Sequence, residues 1–195
     1  MTAVDDRVEQ LMADDRADHM AKAYEDLAVP EGLKAELIRG EIVMMAGPDR
    51  VHNWIVESVM DQIPRKRWHR SQTQDLAIPG ESSEPQPDLV IYERGSIEGP
   101  GRLVPAPAVT MVVEVVSKTS ARRDYQDKRS VYAAGQVPVY LIIDPIAAKC
   151  VLLTDPKGTG EAADYWTERA SAFGDAVPVE VLDLTLETDE FQTLS

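Results

Sequence analysis

Two carboxylates interrupt segments that otherwise have the pattern of buried strands. Asp88 lies in QPDLVIY and Glu114 lies in TMVVEVVS. A carboxylate removed from water costs several kcal/mol unless it is paired, hydrogen-bonded or bound to a cation. If the two strands are neighbours, the acids can converge, and a few carboxylates with water are the ligands that Mg²⁺ or Mn²⁺ prefers. The pattern therefore predicts a hard-metal site.

The helix that follows Glu114 could add a lysine to this site. Asp124, Lys128 and Tyr132 recur at intervals of four residues, which places them on one helix face over the C-terminal end of the Glu114 strand. A metal can polarise a phosphodiester and lower the pKa of bound water, while a nearby lysine orients that water or stabilises developing charge. The predicted chemistry is metal-assisted phosphodiester hydrolysis.

Each of these residues also has a purely structural interpretation. Glu114 could be paired with an arginine, and Asp88 could simply mark the start of a strand. Asp124 and Lys128 could form an ordinary i,i+4 ion pair on a helix surface.

The elements that must position the site follow from hydrophobic periodicity and turn residues. Residues 34–45 predict two short strands around Gly40, and Asp49 is expected to cap a helix that runs through about Ile63. The order strand, helix, strand over residues 109–144 predicts a parallel crossover. The remaining predictions are strands at 73–78, 88–92, 109–116 and 137–144, further strands in KCVLLTD and VPVEVLDLTL, and a helix at 120–135.

Length and composition indicate one globular protein. The 195 residues, 44% of them hydrophobic, fit a single domain over residues 24–195, preceded by an acidic helical or mobile segment at 1–23. No apolar run reaches the roughly 18 residues of a membrane span, and the acidic N-terminus does not have a signal-peptide pattern, so we expect a cytoplasmic location. The single Cys150 predicts a buried thiol rather than a nucleophile.

The net charge of −14 would ordinarily argue against a polyanionic partner. The acidic excess, however, lies in the flanks. Residues 1–31 carry 9 acidic and 3 basic groups, residues 155–195 carry 10 and 2, and residues 32–154 carry 15 of each. Two basic clusters, at 65–70 and 118–129, leave room for a local electropositive surface, with solvated helix faces as the alternative.

The order of these pieces resembles the restriction-endonuclease core of the PD-(D/E)XK nucleases. A resemblance to the Uma-type endonucleases, a large bacterial family, spans roughly residues 24–154 and is carried by AELIRGEIVMM, HNWIV, QPDLVIY, VVEVVSKTS and DYQDKRSVYAAGQVPVYLIIDP. It implies an α/β (α+β) restriction-endonuclease-like fold, with a central mixed β-sheet flanked by helices and an N-terminal helix and β-hairpin. It also implies Mg²⁺ or Mn²⁺ as cofactor and nucleic acid, foremost DNA, as substrate.

The resemblance assigns catalytic roles to particular positions. Pro87 and Asp88 match the PD element, and Glu114 matches the acid of the E-x-K half-motif. Val116 stands where the lysine of that half-motif is expected. The resemblance implies that Lys128 from the following helix takes its role.

Four further residues match the family pattern or compete for a role in it. Lys118 is a local competitor for the lysine role, because strand alternation puts it on the side of Glu114. Glu36 and Glu41 match the two acids of the opening hairpin, and Glu36 is the better candidate for a third metal ligand. His52 matches the start of the first long helix, as a catalytic or a local hydrogen-bonding residue.

Three hypotheses about function follow. The first is a metal-dependent endonuclease, with Asp88 and Glu114 as metal ligands and Lys128 positioning the water or the phosphate; a homodimer would suit cleavage of both strands. The second is a catalytically inactive protein of the same fold that binds nucleic acid or a protein partner. In the third, the acidic N-terminal segment masks a basic site until nucleic acid displaces it. Intact acids at the matched positions favour the enzyme.

Overall fold

The secondary structure comes from a computed structural model that describes residues 16–194. In chain order its elements are α1 (16–25), β1 (Leu33–Ile38), β2 (Glu41–Ala46), α2 (Arg50–Gln62), β3 (Trp68–Gln72), β4 (Leu76–Ala77), β5 (Leu89–Glu93), β6 (Val104–Pro105), β7 (Val109–Val115), a π-helical turn (Arg123–Asp127) that leads into α3 (Lys128–Ala134), β8 (Val139–Asp144), β9 (Lys149–Lys157), β10 (Asp164–Ala172), β11 (Val177–Val179) and β12 (Leu184–Leu186).

Six strands form the central mixed sheet in the order β10-β9-β8-β7-β5-β3. The pair β7–β8 is parallel, as expected for the crossover through α3, and the other neighbours are antiparallel. Alternate side chains of β7 enter two separate cores. Met111 and Val113 pack on the face covered by α2, while Val112 packs on the face covered by α3. The fold class predicted from the sequence, a mixed sheet between helices with an N-terminal helix and hairpin, is confirmed.

The hairpin before α2 also forms as predicted. Strands β1 and β2 pair in register from Ile38 opposite Glu41 outward, so the turn is Arg39–Gly40. Both turn residues have positive φ, 49° and 74°, which is the backbone that a two-residue hairpin turn requires and that glycine adopts without strain. The side chain of Asp49 then caps α2 by accepting a hydrogen bond of 2.9 Å from the backbone N–H of His52.

The strand predicted at 73–78 is wrong in position, and strands β3 and β10 were not predicted. The neighbour of β5 is β3, whereas of residues 73–78 only Leu76–Ala77 form a strand, in a short bridge with β6. Strand β3 was missed because the arginines in and around it interrupt the apolar pattern of a strand. Arg70 has a structural role, since it donates hydrogen bonds to the carbonyl oxygens of Met60 and Ile63 at the end of α2. Strand β10 was not predicted, because as an edge strand it is mostly exposed and polar.

The segment predicted as one C-terminal strand forms two. Strands β11 and β12 are an antiparallel pair in a sheet of their own, separated by a 3₁₀ turn at Glu180–Leu182. Asp183, in the left-handed region with φ of 54°, reverses the chain after that turn. Val177, Leu182 and Leu186 nevertheless pack into the core on the α2 face of the central sheet.

Some sequence predictions concern the N-terminal segment and the cysteine. Residues 1–15, which contain most of the acidic segment and the region proposed to mask a basic site, lie outside the described residues. Residues 16–25 are helical, and Tyr24 joins this helix to the hairpin by donating a hydrogen bond to the carbonyl oxygen of Ala35.

Cys150 is a buried free thiol, as predicted. Within residues 16–194, no helix is long and apolar enough to cross a membrane.

Removal of the α2 cap provides a test of this local structure. We expect Asp49→Ala to lower the free energy of unfolding by about 1 kcal/mol, because it leaves the first N–H groups of the helix without their side-chain acceptor. Urea denaturation of the two proteins measures the difference. Asp61→Ala, at an exposed position of the same helix, should change it by less than about 0.5 kcal/mol. Equal effects of the two substitutions would contradict the role of the cap.

Candidate active site

A cavity of about 240 Å³ opens where the hairpin, the start of α2, the ends of two central strands and the π-helical turn meet. Its wall includes Asp88, Glu114 and Lys128, which were predicted to form the site. It also includes further charged or polar side chains: Lys34, Asp49, His52, Ser117, Lys118, Ser120 and Asp124. The cavity is therefore the place where the predicted catalytic residues meet.

Asp88 is held at the start of β5 by three contacts. Because β5 pairs with β7, the backbone N–H of Val115 can donate to Asp88 Oδ2, at 2.8 Å. His52 Nε2 lies 2.8 Å from the same oxygen, and Lys34 Nζ lies 3.3 Å from Oδ1. Burial raises the pKa of Asp88, but the hydrogen bond with His52 and the charge of Lys34 outweigh it and hold the pKa below its ordinary value. Asp88 is therefore ionised.

Glu114 points from β7 toward the face covered by α3. Its Oε1 accepts hydrogen bonds from Lys128 Nζ at 2.7 Å and from the hydroxyl of Tyr132 at 2.6 Å. Lys128 and Tyr132 thus belong to one helix stripe that contacts Glu114, as their spacing predicted. Burial raises the pKa of Glu114 to about 8, with the charge of Asp88 acting in the same direction and Lys128 against it.

Lys128 connects Glu114 to the hairpin. Its Nζ also lies 2.8 Å from Oε1 of Glu36, which is fully buried and accepts a further hydrogen bond from the backbone N–H of Gln86. Burial lowers the pKa of Lys128, but the charges of Glu114 and Glu36 outweigh it and raise the pKa well above its ordinary value. The second oxygen of Glu36, Oε2, is buried and has no hydrogen-bond partner within residues 16–194.

Asp124 does not form the surface ion pair that was considered for it. The π-helical turn buries its side chain, which accepts a hydrogen bond from Ser120 Oγ, while the hydroxyl of Tyr140 donates to its carbonyl oxygen. Ser120 Oγ in turn accepts from the backbone N–H of Ser117. Burial raises the pKa of Asp124. This cluster fixes the loop between Glu114 and Lys128. Short π-helical turns of this kind are frequent at functional sites.

The remaining predicted residues are divided between the cavity and the surface. His52 contacts Asp88, and Lys118 is an exposed residue of the cavity wall. Glu41 is exposed at the start of β2 and does not line the cavity. Lys34 was not predicted as a site residue, although its position two residues before Glu36 on β1 indicates that the two side chains share a face.

The two basic clusters have largely structural partners. In the first cluster, Arg70 caps the end of α2, and Nε of Arg67 lies 3.4 Å from Oε1 of Glu93. In the second, Lys128 is part of the cavity, and Arg129 forms ion pairs with Asp164 and Glu168 on β10. Other members of the clusters, among them Arg65, Lys66 and Arg122, are exposed, so the electropositive surface considered as one alternative for these clusters is limited to part of each.

The donor set fits a divalent cation. Asp88 and Glu114 offer carboxylate oxygens to one cavity, and Glu36 shares Lys34 with Asp88 and Lys128 with Glu114. Among the described residues, Glu36 Oε2 has no hydrogen-bond partner and is a buried acceptor. No group of three metal-ligating side chains is assembled within residues 16–194. The ammonium groups of Lys34 and Lys128 lie against these carboxylates instead.

Comparisons with known proteins agree with this fold. A crystal structure described as "a putative nuclease belonging to DUF820" from Anabaena variabilis matches 86% of this chain and 94% of its own, with a TM-score of 0.66 and 13% sequence identity. No functionally curated protein matches the chain. A family model described as "Putative restriction endonuclease" matches residues 21–189. The chain therefore belongs to the Uma2 family, as its sequence motifs implied.

Proposed function

We propose that this protein is a divalent-metal-dependent endonuclease that hydrolyses phosphodiester bonds, with DNA as its substrate. The observation that carries the proposal is the convergence of Asp88, Glu114 and Lys128 on one cavity. Family membership and the nuclease-like fold support hydrolysis of nucleic acid in general. The choice of DNA and of Mg²⁺ or Mn²⁺ rests on the chemistry of the donor set and on the family motifs.

Each residue has a role that its contacts support. Asp88 and Glu114 would hold the metal, with Glu36 as a third ligand. When bound, the metal would polarise the phosphodiester and lower the pKa of a water molecule. The Val115 N–H and His52 fix the orientation of Asp88, and Tyr132 fixes that of Glu114. The ammonium of Lys128, on the cavity wall, would position the water or stabilise negative charge on the phosphate.

A second candidate function is a catalytically inactive protein that binds nucleic acid or a protein partner. Two observations favour it: Lys34 and Lys128 lie against the acids, and within the described residues no three-ligand group is assembled. The two candidates differ in metal binding, because a protein that has lost catalysis needs no cation at these carboxylates. Under the first candidate we also propose a cytoplasmic homodimer that would present one site to each strand of a duplex.

A cleavage assay tests the proposed activity. Supercoiled plasmid DNA and RNA of matched sequence are incubated with the protein in Mg²⁺, in Mn²⁺ and in EDTA. We expect nicked and linear DNA with either metal and none in EDTA. Glu114→Gln, purified in the same way, should give no product, which excludes a contaminating nuclease. Cleavage that persists in EDTA, or in this variant, would contradict the assignment.

Metal affinity should depend on pH through Glu114. A carboxyl group with a pKa of about 8 must lose its proton before it can bind a cation, so protons compete with the metal below that pH. We expect the affinity for Mn²⁺ to rise by up to about tenfold per pH unit as pH increases to about 8, and to level off above it. Calorimetric titrations in buffers of different ionisation enthalpy measure the affinity and the proton released. A flat pH profile without proton release would contradict this assignment of Glu114.

A further inference from the structure

Lys34 places an ammonium group against Asp88 within the cavity. Its Nζ is 3.3 Å from Asp88 Oδ1, 3.2 Å from the carbonyl oxygen of Gln86 and 3.7 Å from Glu36 Oε1. Three oxygens, two of them from carboxylates, thus surround one positive charge. Oxygens in such an arrangement are also what a hard divalent cation requires, so the ammonium lies where a metal would find its ligands.

The two lysines of the site differ in how far they can move. The side chain of Lys128 is 2% exposed and is bound between two glutamates on neighbouring elements. The side chain of Lys34 is 17% exposed and lines the cavity. A flexible four-carbon stem that already reaches the cavity can rotate its ammonium toward water without opening the core. Lys34 is therefore the lysine that can leave the carboxylates.

Repulsion between like charges favours its departure when a metal arrives. Lys34 and Lys128 lie against oxygens of Glu36, Asp88 and Glu114, the three acids proposed to hold the metal. A divalent cation bound to the same oxygens would lie a few ångströms from both ammonium groups. Departure of Lys34, the more exposed of the two lysines, relieves part of this repulsion. Like charges a few ångströms apart in a poorly solvated site repel strongly, so displacement is the favourable outcome.

We propose that Lys34 is an intramolecular counter-cation that occupies the metal-binding position at Asp88 and leaves it when a divalent cation binds. This inference rests on the proposed function, because it assumes that Asp88 is a metal ligand. The lysine neutralises the carboxylate in the metal-free protein. Metal affinity is lowered by the free energy needed to displace it.

Mn²⁺ titration calorimetry tests the competition. In Lys34→Met, Asp88 has no competing ammonium, so we expect the affinity for Mn²⁺ to rise by about tenfold or more at low ionic strength. Lys118→Met removes a charge from the wall of the same cavity and serves as the control for general electrostatics. It should raise the affinity by less than about threefold, because the exposed charge is screened by solvent. Thermal unfolding confirms that both variants are folded.

A labelling experiment tests displacement in the unmodified chain. The protein is treated briefly with an amine-acetylating reagent with and without Mn²⁺, and each lysine is quantified by mass spectrometry. We expect acetylation of Lys34 to increase several-fold with Mn²⁺, while Lys128 stays protected. The exposed Lys66 should react equally in both conditions and provides the internal standard.

The outcomes separate this inference from the function on which it rests. Wild-type Mn²⁺ binding that Lys34→Met does not strengthen, or labelling of Lys34 that Mn²⁺ does not increase, would overturn the inference alone. An equal gain in Lys118→Met would overturn it as well, since the effect would then be general. Absence of Mn²⁺ binding in both the wild type and Lys34→Met would reject the metal-dependent function together with the inference.

Discussion

Glu114→Gln and Asp88→Asn are each expected to abolish measurable Mn²⁺ binding and to reduce the rate of DNA cleavage by at least about 10²-fold. Each substitution keeps the shape of the side chain but replaces one carboxyl oxygen by an amide nitrogen, which cannot bind a hard cation. Because the two acids share one cavity, the loss of either one should have the same consequence for the metal. Calorimetry and initial cleavage rates, measured on the same protein preparations, give the two numbers.

Glu41→Gln is the matched control for this experiment. Glu41 is an acid of the same family pattern, but it is exposed at the start of β2 and does not line the cavity. We expect its substitution to leave Mn²⁺ affinity and cleavage within about twofold of the wild type. Metal binding that survives in either Glu114→Gln or Asp88→Asn would place the cation elsewhere and would favour the interpretation of the protein as an inactive binder.

Lys128→Met is expected to have the largest effect on stability, a loss of about 3–5 kcal/mol in the free energy of unfolding at neutral pH. The ammonium of Lys128 is buried between Glu36 and Glu114, and methionine offers neither acid a partner. The cost comes mainly from the buried charge that remains. Glu114, whose pKa burial raises to about 8, becomes charged as pH rises through that value, so the loss should be larger above about pH 8 than below it. Urea denaturation at several pH values measures both effects.

A second substitution distinguishes unpaired charge from lost packing. Adding Glu36→Gln to Lys128→Met replaces one of the two acids that have lost the ammonium by a neutral amide, so we expect the double variant to recover part of the lost stability at neutral pH. Lys66→Met, at an exposed position, should change the free energy of unfolding by less than about 0.5 kcal/mol. A loss in Lys128→Met that is constant with pH, and that Glu36→Gln does not relieve, would indicate lost packing instead.

Local patterns were sufficient for the elements whose structure depends on short-range chemistry. The two-residue turn at Gly40 and the cap at Asp49 each involve residues a few positions apart, so their sequence signals are complete within one segment. The buried strand β7 and the helix stripe of Lys128 and Tyr132 were predicted for the same reason. Strand β10 was not, because an exposed edge lacks the apolar alternation on which the prediction depends.

For the site, the sequence alone determined that Asp88 and Glu114 are acids in apolar strands, and their identity as candidates follows from the cost of burying charge. The tertiary structure alone determined which side chains compensate for the burial of these acids. Lys128 reaches Glu36 across 92 positions of the chain, and Lys34 reaches Asp88 across 54. Such contacts depend on how the hairpin lies against the central sheet. No periodicity within one segment encodes that placement, because it results from the packing of separate elements into a common core.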